Sequence, residues 1–350
     1  MIPRPASRHR RRAVVDLAST RPVWSAPQAV VRAIRQAFGR GWHVVSVEAL
    51  ASSDGDGGAG SEAAIAAALG AEVYIGWGTP RGVVAAARDT LRWAHTAAAG
   101  VGSSLTPEFR ATGALLTNSR VVHAEPIADW VVTAIGFCLR GFHAAVAAQA
   151  ERRWAKDTFT DGTVRVREFA GTRVGLVGLG GIGQAVARRC RALGMSVSAV
   201  RRTPGRSLPR GVEWVGDPGQ VRALARRSDV LVVAAPHTAR TRRLVDAAVL
   251  AALPRGAYVV NVARGELIDE AALVAALDGH LGGAVLDVFE REPLPEPSPL
   301  WRHPRVLVFP HVSAVTDRFW ERETELITDN IRRYREGRRL RNLVNLDREY

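Results

Sequence analysis

Up to about residue 120, short β-branched runs alternate with alanine-rich stretches of helical period. Ala13–Leu17, His43–Val47, Glu72–Ile75 and Trp93–Thr96 are predicted strands, with predicted helices at Gln28–Phe38, Glu62–Leu69 and Gly82–Asp89 between them. Such alternation with short connections implies a parallel sheet covered on both faces. Ser52–Ser61, rich in Gly, Ser and Asp, reads as a loop.

A second series starts near residue 120. A helix over Ala124–Leu139 leads through Trp154 and a polar segment to a strand at Arg173–Val177. Further strands are predicted at Ser196–Val200, Val230–Ala234, Tyr258–Val262, Ala284–Leu286 and Val306–Phe309, and one long amphipathic helix at Thr316–Arg338. There is no repeat of solenoid length. A chain of 350 residues exceeds one compact core, so two domains are expected.

Composition narrows the classes. With 47% hydrophobic and 23% charged residues, the chain is ordinary globular material. No apolar run approaches the roughly 18–20 residues that span a bilayer, and the apolar stretch after the basic Met1–Arg12 is too short for a signal-peptide core. A cytoplasmic protein with no membrane partner is the expectation. The net charge of +14 points towards nucleic acid, but Lys156 is the only lysine and the arginines are spread throughout. The clusters Arg8–Arg12 and Arg332–Arg341 read as solvated ends, and no nucleic-acid partner is expected. Cys138 and Cys190 lie far apart without metal-ligand spacing, which predicts buried free thiols, no disulfide and no metal site.

The first chemical signal is Gly178-x-Gly180-x-x-Gly183, directly after a predicted strand and opening a helix. The first glycine permits the tight turn, the second lets a pyrophosphate approach the backbone, and the third lets helix and strand pack closely. Gly181, Ile182 and Gly183 then present the helix N-terminus, which favours phosphate charge. The end of the next strand selects the dinucleotide. An acidic residue there binds the ribose 2′-hydroxyl of NAD, whereas this chain reads Arg201-Arg202-Thr203, 18 residues past Gly183. An arginine fork binds a 2′-phosphate through charge-assisted hydrogen bonds, so NADP(H) is the expected cofactor, with NAD(H) as the alternative.

Ligands of open parallel sheets bind beyond the carboxyl ends of the strands. Three reactive side chains follow such ends: Arg264, Glu292 and His311, spaced 28 and 19 residues apart. Hydride addition to a 2-oxo acid builds negative charge on the carbonyl oxygen, which a protonated His311 neutralises as general acid. Neutral His311 takes the hydroxyl proton in the reverse direction. Glu292 would stabilise the imidazolium, and Arg264 would bind the substrate carboxylate and polarise the carbonyl. Asp287 is placed to accept a hydrogen bond from the nicotinamide carboxamide.

Taken together, these residues resemble the D-isomer-specific 2-hydroxyacid dehydrogenases, a family that includes glyoxylate/hydroxypyruvate reductases. The resemblance runs from about Ala71 to Val344. It rests on Gly178–Gly183, Ala235-Pro-His-Thr238 with Thr241, Asn261-Val-Ala-Arg-Gly-Glu-Leu-Ile-Asp269, Leu286-Asp-Val-Phe-Glu-Arg-Glu-Pro-Leu294 and Phe309-Pro-His311. It implies that Arg264, Glu292 and His311 are the catalytic set, and that Pro236, Thr241, Ala263 and Asp287 line the cofactor. The loop at Gly100, Val101 and Gly102 would receive the substrate carboxylate, with Trp77 across from it. The implied fold is α/β with two Rossmann-like, doubly wound parallel-sheet domains. One is a discontinuous, flavodoxin-like substrate domain (1–119 and 312–350), the other a dinucleotide-binding Rossmann domain (120–311). A homodimer formed through Ala124–Leu139 is implied too.

Asp129-Trp130 stands where many members carry Glu-His, and Gly102-Ser103-Ser104 replaces an Asp-bearing sequence. Both departures bear on substrate identity rather than reaction type. A dehydrogenase of another small anionic donor, such as phosphite, keeps the same fold. A dinucleotide-sensing, corepressor-like binding protein would carry the same three residues without turnover.

Overall fold

The computed structural model describes residues 10–49, 58–205 and 208–347. Most of the loop expected at Ser52–Ser61, and part of the Arg8–Arg12 cluster, lie outside them. The chain divides into two compact units, one of residues 1–123 with 315–350 and one of residues 124–314.

In the first unit the order is β1 (Arg11–Asp16), α1 (Gln28–Phe38), β2 (Trp42–Ser46), α2 (Glu62–Ala68), β3 (Val73–Gly76), α3 (Arg81–Ala86), β4 (Trp93–Thr96), α4 (Pro107–Thr112) and β5 (Leu115–Asn118). The strands form a parallel sheet in the order β2-β1-β3-β4-β5, a flavodoxin-like winding. Helix α1 shows why these segments are helical. Val30, Ile34 and Phe38 recur every four residues on one buried stripe, and Gly39 at φ 73° ends it. The C-terminal helix Phe319–Arg335 covers the same face of the sheet, burying Phe319, Leu326, Ile327, Ile331 and Tyr334 with Val15, Ile75 and Trp93. After it, Leu343 bridges Thr117 and the Val344 N–H donates to the Leu116 carbonyl, so the tail pairs with the β5 edge.

The second unit runs α5 (Ala124–Leu139), α6 (Phe142–Ala150), α7 (Lys156–Thr160), β6 (Arg173–Val177), α8 (Gly181–Ala192), β7 (Ser196–Val200), β8 (Trp214–Gly216), α9 (Val221–Arg226), β9 (Val230–Val233), α10 (Ala247–Ala251), β10 (Tyr258–Asn261), α11 (Glu270–Gly279), β11 (Gly283–Leu286) and β12 (Val306–Val308). Its parallel sheet is ordered β12-β11-β10-β9-β6-β7-β8. Strand order reverses between β6 and β9, and that switch point is where such sheets open a crevice. Side-chain alternation fills both faces. Val230 and Val232 join one apolar cluster, while Leu231 and Val233 join the other.

Among the described residues no single helix is long and apolar enough to cross a membrane. Cys138 and Cys190 are buried free thiols, each pushed up to about 12 by burial.

Candidate active site

The glycine turn sits on the switch point of the second unit. Gly178, at φ 105°, occupies backbone space that L side chains rarely adopt, and a Cβ there would lie 2.7 Å from the Ala234 carbonyl oxygen. A Cβ on Gly183 would lie 2.2 Å from the Gly178 carbonyl oxygen, so helix and turn touch as the motif requires. Around Gly180 a Cβ would meet nothing within 4 Å, which leaves the backbone open at the N-cap of α8. Gly181 and Ile182 follow as the first turn. A cradle closed on two sides and open at the helix N-terminus fits a pyrophosphate.

At the end of β7, Arg201 is half-buried and its Nε is buried without a hydrogen-bond partner. An orphaned guanidinium donor at this strand end fits a 2′-phosphate and does not fit a ribose hydroxyl held by a carboxylate. Arg202 and Thr203 are exposed beside it. Beyond β9, the Thr241 hydroxyl donates to the Pro236 carbonyl at 2.7 Å and accepts from the Thr238 N–H at 2.8 Å. Thr241 therefore shapes the loop on which Pro236 sits.

Three further loops leave the carboxyl ends of β10, β11 and β12. After β10, the Asn261 side chain donates to the Arg264 carbonyl at 3.0 Å and accepts from the Ala263 N–H at 3.1 Å, bracing the arginine's backbone from both sides. Arg264 Nη1 donates to the Ala263 carbonyl at 2.6 Å. The next residue, Gly265, lies against the following loop so tightly that a Cβ would fall 1.8 Å from the Phe289 carbonyl carbon and 2.1 Å from the Glu290 nitrogen.

That following loop carries Glu292. Its Oε1 accepts from the Phe289 N–H at 3.0 Å, and its Oε2 meets His311 Nδ1 at 2.7 Å. Burial pushes the Glu292 carboxyl up, but the His311 and Phe289 hydrogen bonds and the charges of His311 and Arg264 outweigh it, holding the group below the usual carboxylate range. Glu292 is therefore an anion that fixes one ring nitrogen of His311 and leaves Nε2 for a ligand. His311 adopts φ 57°, a left-handed conformation costing a non-glycine residue about 1–2 kcal/mol. Asp287 holds it there, since its oxygens accept from the Val312 N–H at 2.7 Å and the Ser313 N–H at 3.0 Å. Asp287, expected to face the nicotinamide, is fully buried and engaged with the histidine loop.

The other expected residues belong to the first unit. Trp77 follows β3 in an aromatic cluster, 5.6 Å from Trp24 and stacked at 5.7 Å on Phe319, and its Nε1 is buried without a partner. The loop after β4 is pinned by the Asn118 side chain, which donates to the Ala99 carbonyl at 2.7 Å, and by the Ser119 N–H, which donates to the Ala98 carbonyl at 3.0 Å. Among the described residues the N–H groups of Gly100, Val101 and Gly102 donate to nothing else in the chain. Amides left unpaired in this way suit an anion. No cluster of His, Cys, Asp and Glu among the described residues is arranged to hold a metal ion.

Sequence reasoning gave no role to Asn261 and missed the bracing function of Asp287. The short spacing Asn261-x-x-Arg264 was the available signal for the first. Nothing local signalled the second, whose partners lie 25 and 26 residues away.

Comparison with known proteins adds the following. The family model for the D-isomer specific 2-hydroxyacid dehydrogenase NAD binding domain matches residues 132–313. Glyoxylate/hydroxypyruvate reductase A of Salmonella typhi is 46% identical over 144 residues, 41% of this chain and 46% of that protein, so the chain spans about half the length of the curated relatives it matches. A D-isomer specific 2-hydroxyacid dehydrogenase from Xanthobacter autotrophicus Py2, solved with NADPH and MES, aligns over 97% of this chain and 99% of its own at 31% identity and TM-score 0.78. An NADPH-dependent glyoxylate/hydroxypyruvate reductase from Sinorhizobium meliloti, solved with NADP and sulfate, aligns over 97% and 100% at 28% identity and TM-score 0.76.

Proposed function

The chain belongs to the D-isomer specific 2-hydroxyacid dehydrogenase family, and we propose that it transfers a hydride between NADP(H) and a small 2-oxo or 2-hydroxy acid of the glyoxylate/hydroxypyruvate type. The observation that carries this reading is the 2.7 Å pair of Glu292 and His311 beside Arg264, on three adjacent strand ends of a dinucleotide-type sheet. Bound NADP(H) supplies or accepts the hydride. The chain's own residues do the rest.

Gly178, Gly180 and Gly183 cradle the pyrophosphate, Arg201 and Arg202 take the 2′-phosphate, and Pro236, Thr241 and Ala263 line the cofactor's path. The Arg264 fork receives the substrate carboxylate. His311 Nε2 gives a proton to the carbonyl oxygen as charge develops on it in reduction, and takes the hydroxyl proton in oxidation. Ionised Glu292 stabilises the imidazolium and holds its orientation, while Arg264 polarises the carbonyl. The substrate domain is then the first unit and the dinucleotide domain the second.

The functional protein is a homodimer in this reading. Phe142 and Val146, one turn apart on α6, are 55% and 58% exposed, apolar positions that a second copy would cover. The cytoplasm is the expected compartment.

Initial rates with NADPH and with NADH, across a panel of small 2-oxo acids, test the proposal. NADPH-dependent turnover of glyoxylate or hydroxypyruvate is expected. A clear preference for NADH would remove the role given to Arg201. Tight binding of NADP(H) with no turnover of any 2-oxo acid would favour the corepressor-like reading, and turnover of phosphite alone would change the donor.

A further inference from the structure

One half-buried carboxylate beside the site has no part in the reaction as described. Glu270 opens α11, and its Oε1 accepts a hydrogen bond of 2.6 Å from the backbone N–H of Glu290, 20 residues away. Glu290 is the residue against which Gly265 packs, and it lies two positions before Glu292. The arginine loop and the glutamate loop are thus pressed together at Gly265 and tied at Glu270. We propose that Glu270 is a positioning residue, whose bond to the Glu290 N–H holds the 287–292 loop so that Glu292 meets His311. The inference rests on the reading that Glu292 acts through His311.

The bond lies at the surface, but its surroundings fit an anchor. Burial raises the Glu270 carboxyl, the Glu290 N–H opposes that, and the charges of Glu290, Glu266 and Glu292 raise it further. A carboxylate kept among three others is unfavourable unless its hydrogen bond does something. Arg243 partly offsets Glu290, at 3.5 Å. Glu292 itself faces His311 and Arg264. A shift of the 287–292 loop would lengthen the Glu292–His311 bond before it disturbed anything in the sheet beneath.

The test uses the full-length protein with Glu270→Ala and Glu270→Gln. Hydrogen–deuterium exchange reads the anchor without needing activity, and the Glu290 amide should exchange faster in the alanine variant. Because misplaced catalytic groups are costly, Glu270→Ala should lower kcat by about 10- to 100-fold, with KM for the 2-oxo acid within about twofold. Glutamine keeps the accepting oxygen and should restore most of kcat. The proposal is overturned if Glu270→Ala keeps the parental kcat, however much stability it loses, or if Glu270→Gln is as impaired as alanine. Failure of the underlying reading looks different, because His311→Ala would then turn over normally.

Discussion

His95–Glu323 and His311–Glu292, histidine–glutamate pairs in the first and second unit, differ in almost everything except their chemistry. In the first unit, His95 on β4 meets Glu323 of the C-terminal helix at 2.9 Å with both side chains fully buried. Thr117 holds the other ring nitrogen at 2.8 Å, and Ser119 donates to the same glutamate oxygen at 2.8 Å. In the second unit, His311 and Glu292 pair at 2.7 Å with side chains 46% and 34% exposed. The buried ring has both nitrogens occupied by the chain, so it braces a helix against a sheet. The exposed ring has one nitrogen to offer, so it can exchange a proton with a ligand. Accessibility of the second nitrogen, not the identity of the pair, separates a brace from a candidate acid.

The sharpest way to break the comparison is to remove one member of each pair. Glu323→Ala should destabilise the first unit by about 3–5 kcal/mol, the cost of leaving half of a buried pair, measured by denaturant unfolding. Retention of full stability would show that the buried pair contributes nothing as a brace. His311→Ala should do the reverse, lowering turnover by about 10²–10⁴-fold with the unfolding midpoint nearly unchanged. An active alanine variant would take His311 out of the mechanism. Arg201→Ala tests the cofactor end of the same unit. Losing a charged hydrogen bond is worth about 1.5–3 kcal/mol, so the NADPH-to-NADH ratio of kcat/KM should fall roughly 10- to 100-fold. The smallest effect concerns acid. The Glu292 carboxyl is lowered from 4.5 by folding, so its contribution to stability is present above that value and lost as pH falls through the folded one. Glu292→Gln should therefore be slightly less stable than the parent near neutrality and indistinguishable from it in strong acid.

Much of the fold was legible because buried parallel strands are β-branched runs, and β6, β7 and the helix Ala124–Leu139 have the predicted bounds. The misses have physical reasons. Strand β8, Trp214–Gly216, is three residues long and ends at a glycine, without the apolar run that marks the equally short β12. Strand β5 ends in Thr117 and Asn118, buried polar residues: Trp93 and His95 engage the Thr117 hydroxyl, and the Asn118 amide donates to Ala99 while its Oδ1 has no partner. The long C-terminal helix is shorter than predicted, Phe319–Arg335 rather than Thr316–Arg338, since Gly337 at φ 68° turns the chain out of it. At the candidate site, the residue types and their places after strands could be read from sequence. The bracing could not, because Asp287 and Glu270 act on backbone amides that have no sequence signature.

The order of synthesis gives the divided first unit a particular history. Its sheet emerges from the ribosome early, but the helix that covers it arrives only after the 191 residues of the second unit, the span from 124 to 314. At common translation rates that is a wait of roughly 10–40 s. Throughout it Val15, Ile75 and Trp93 lack part of their cover and His95 lacks its partner. The second unit is contiguous and can mature during the same interval. A nascent chain of this protein is therefore a half-finished sheet carrying a finished domain, until the helix Phe319–Arg335 emerges to cover that sheet.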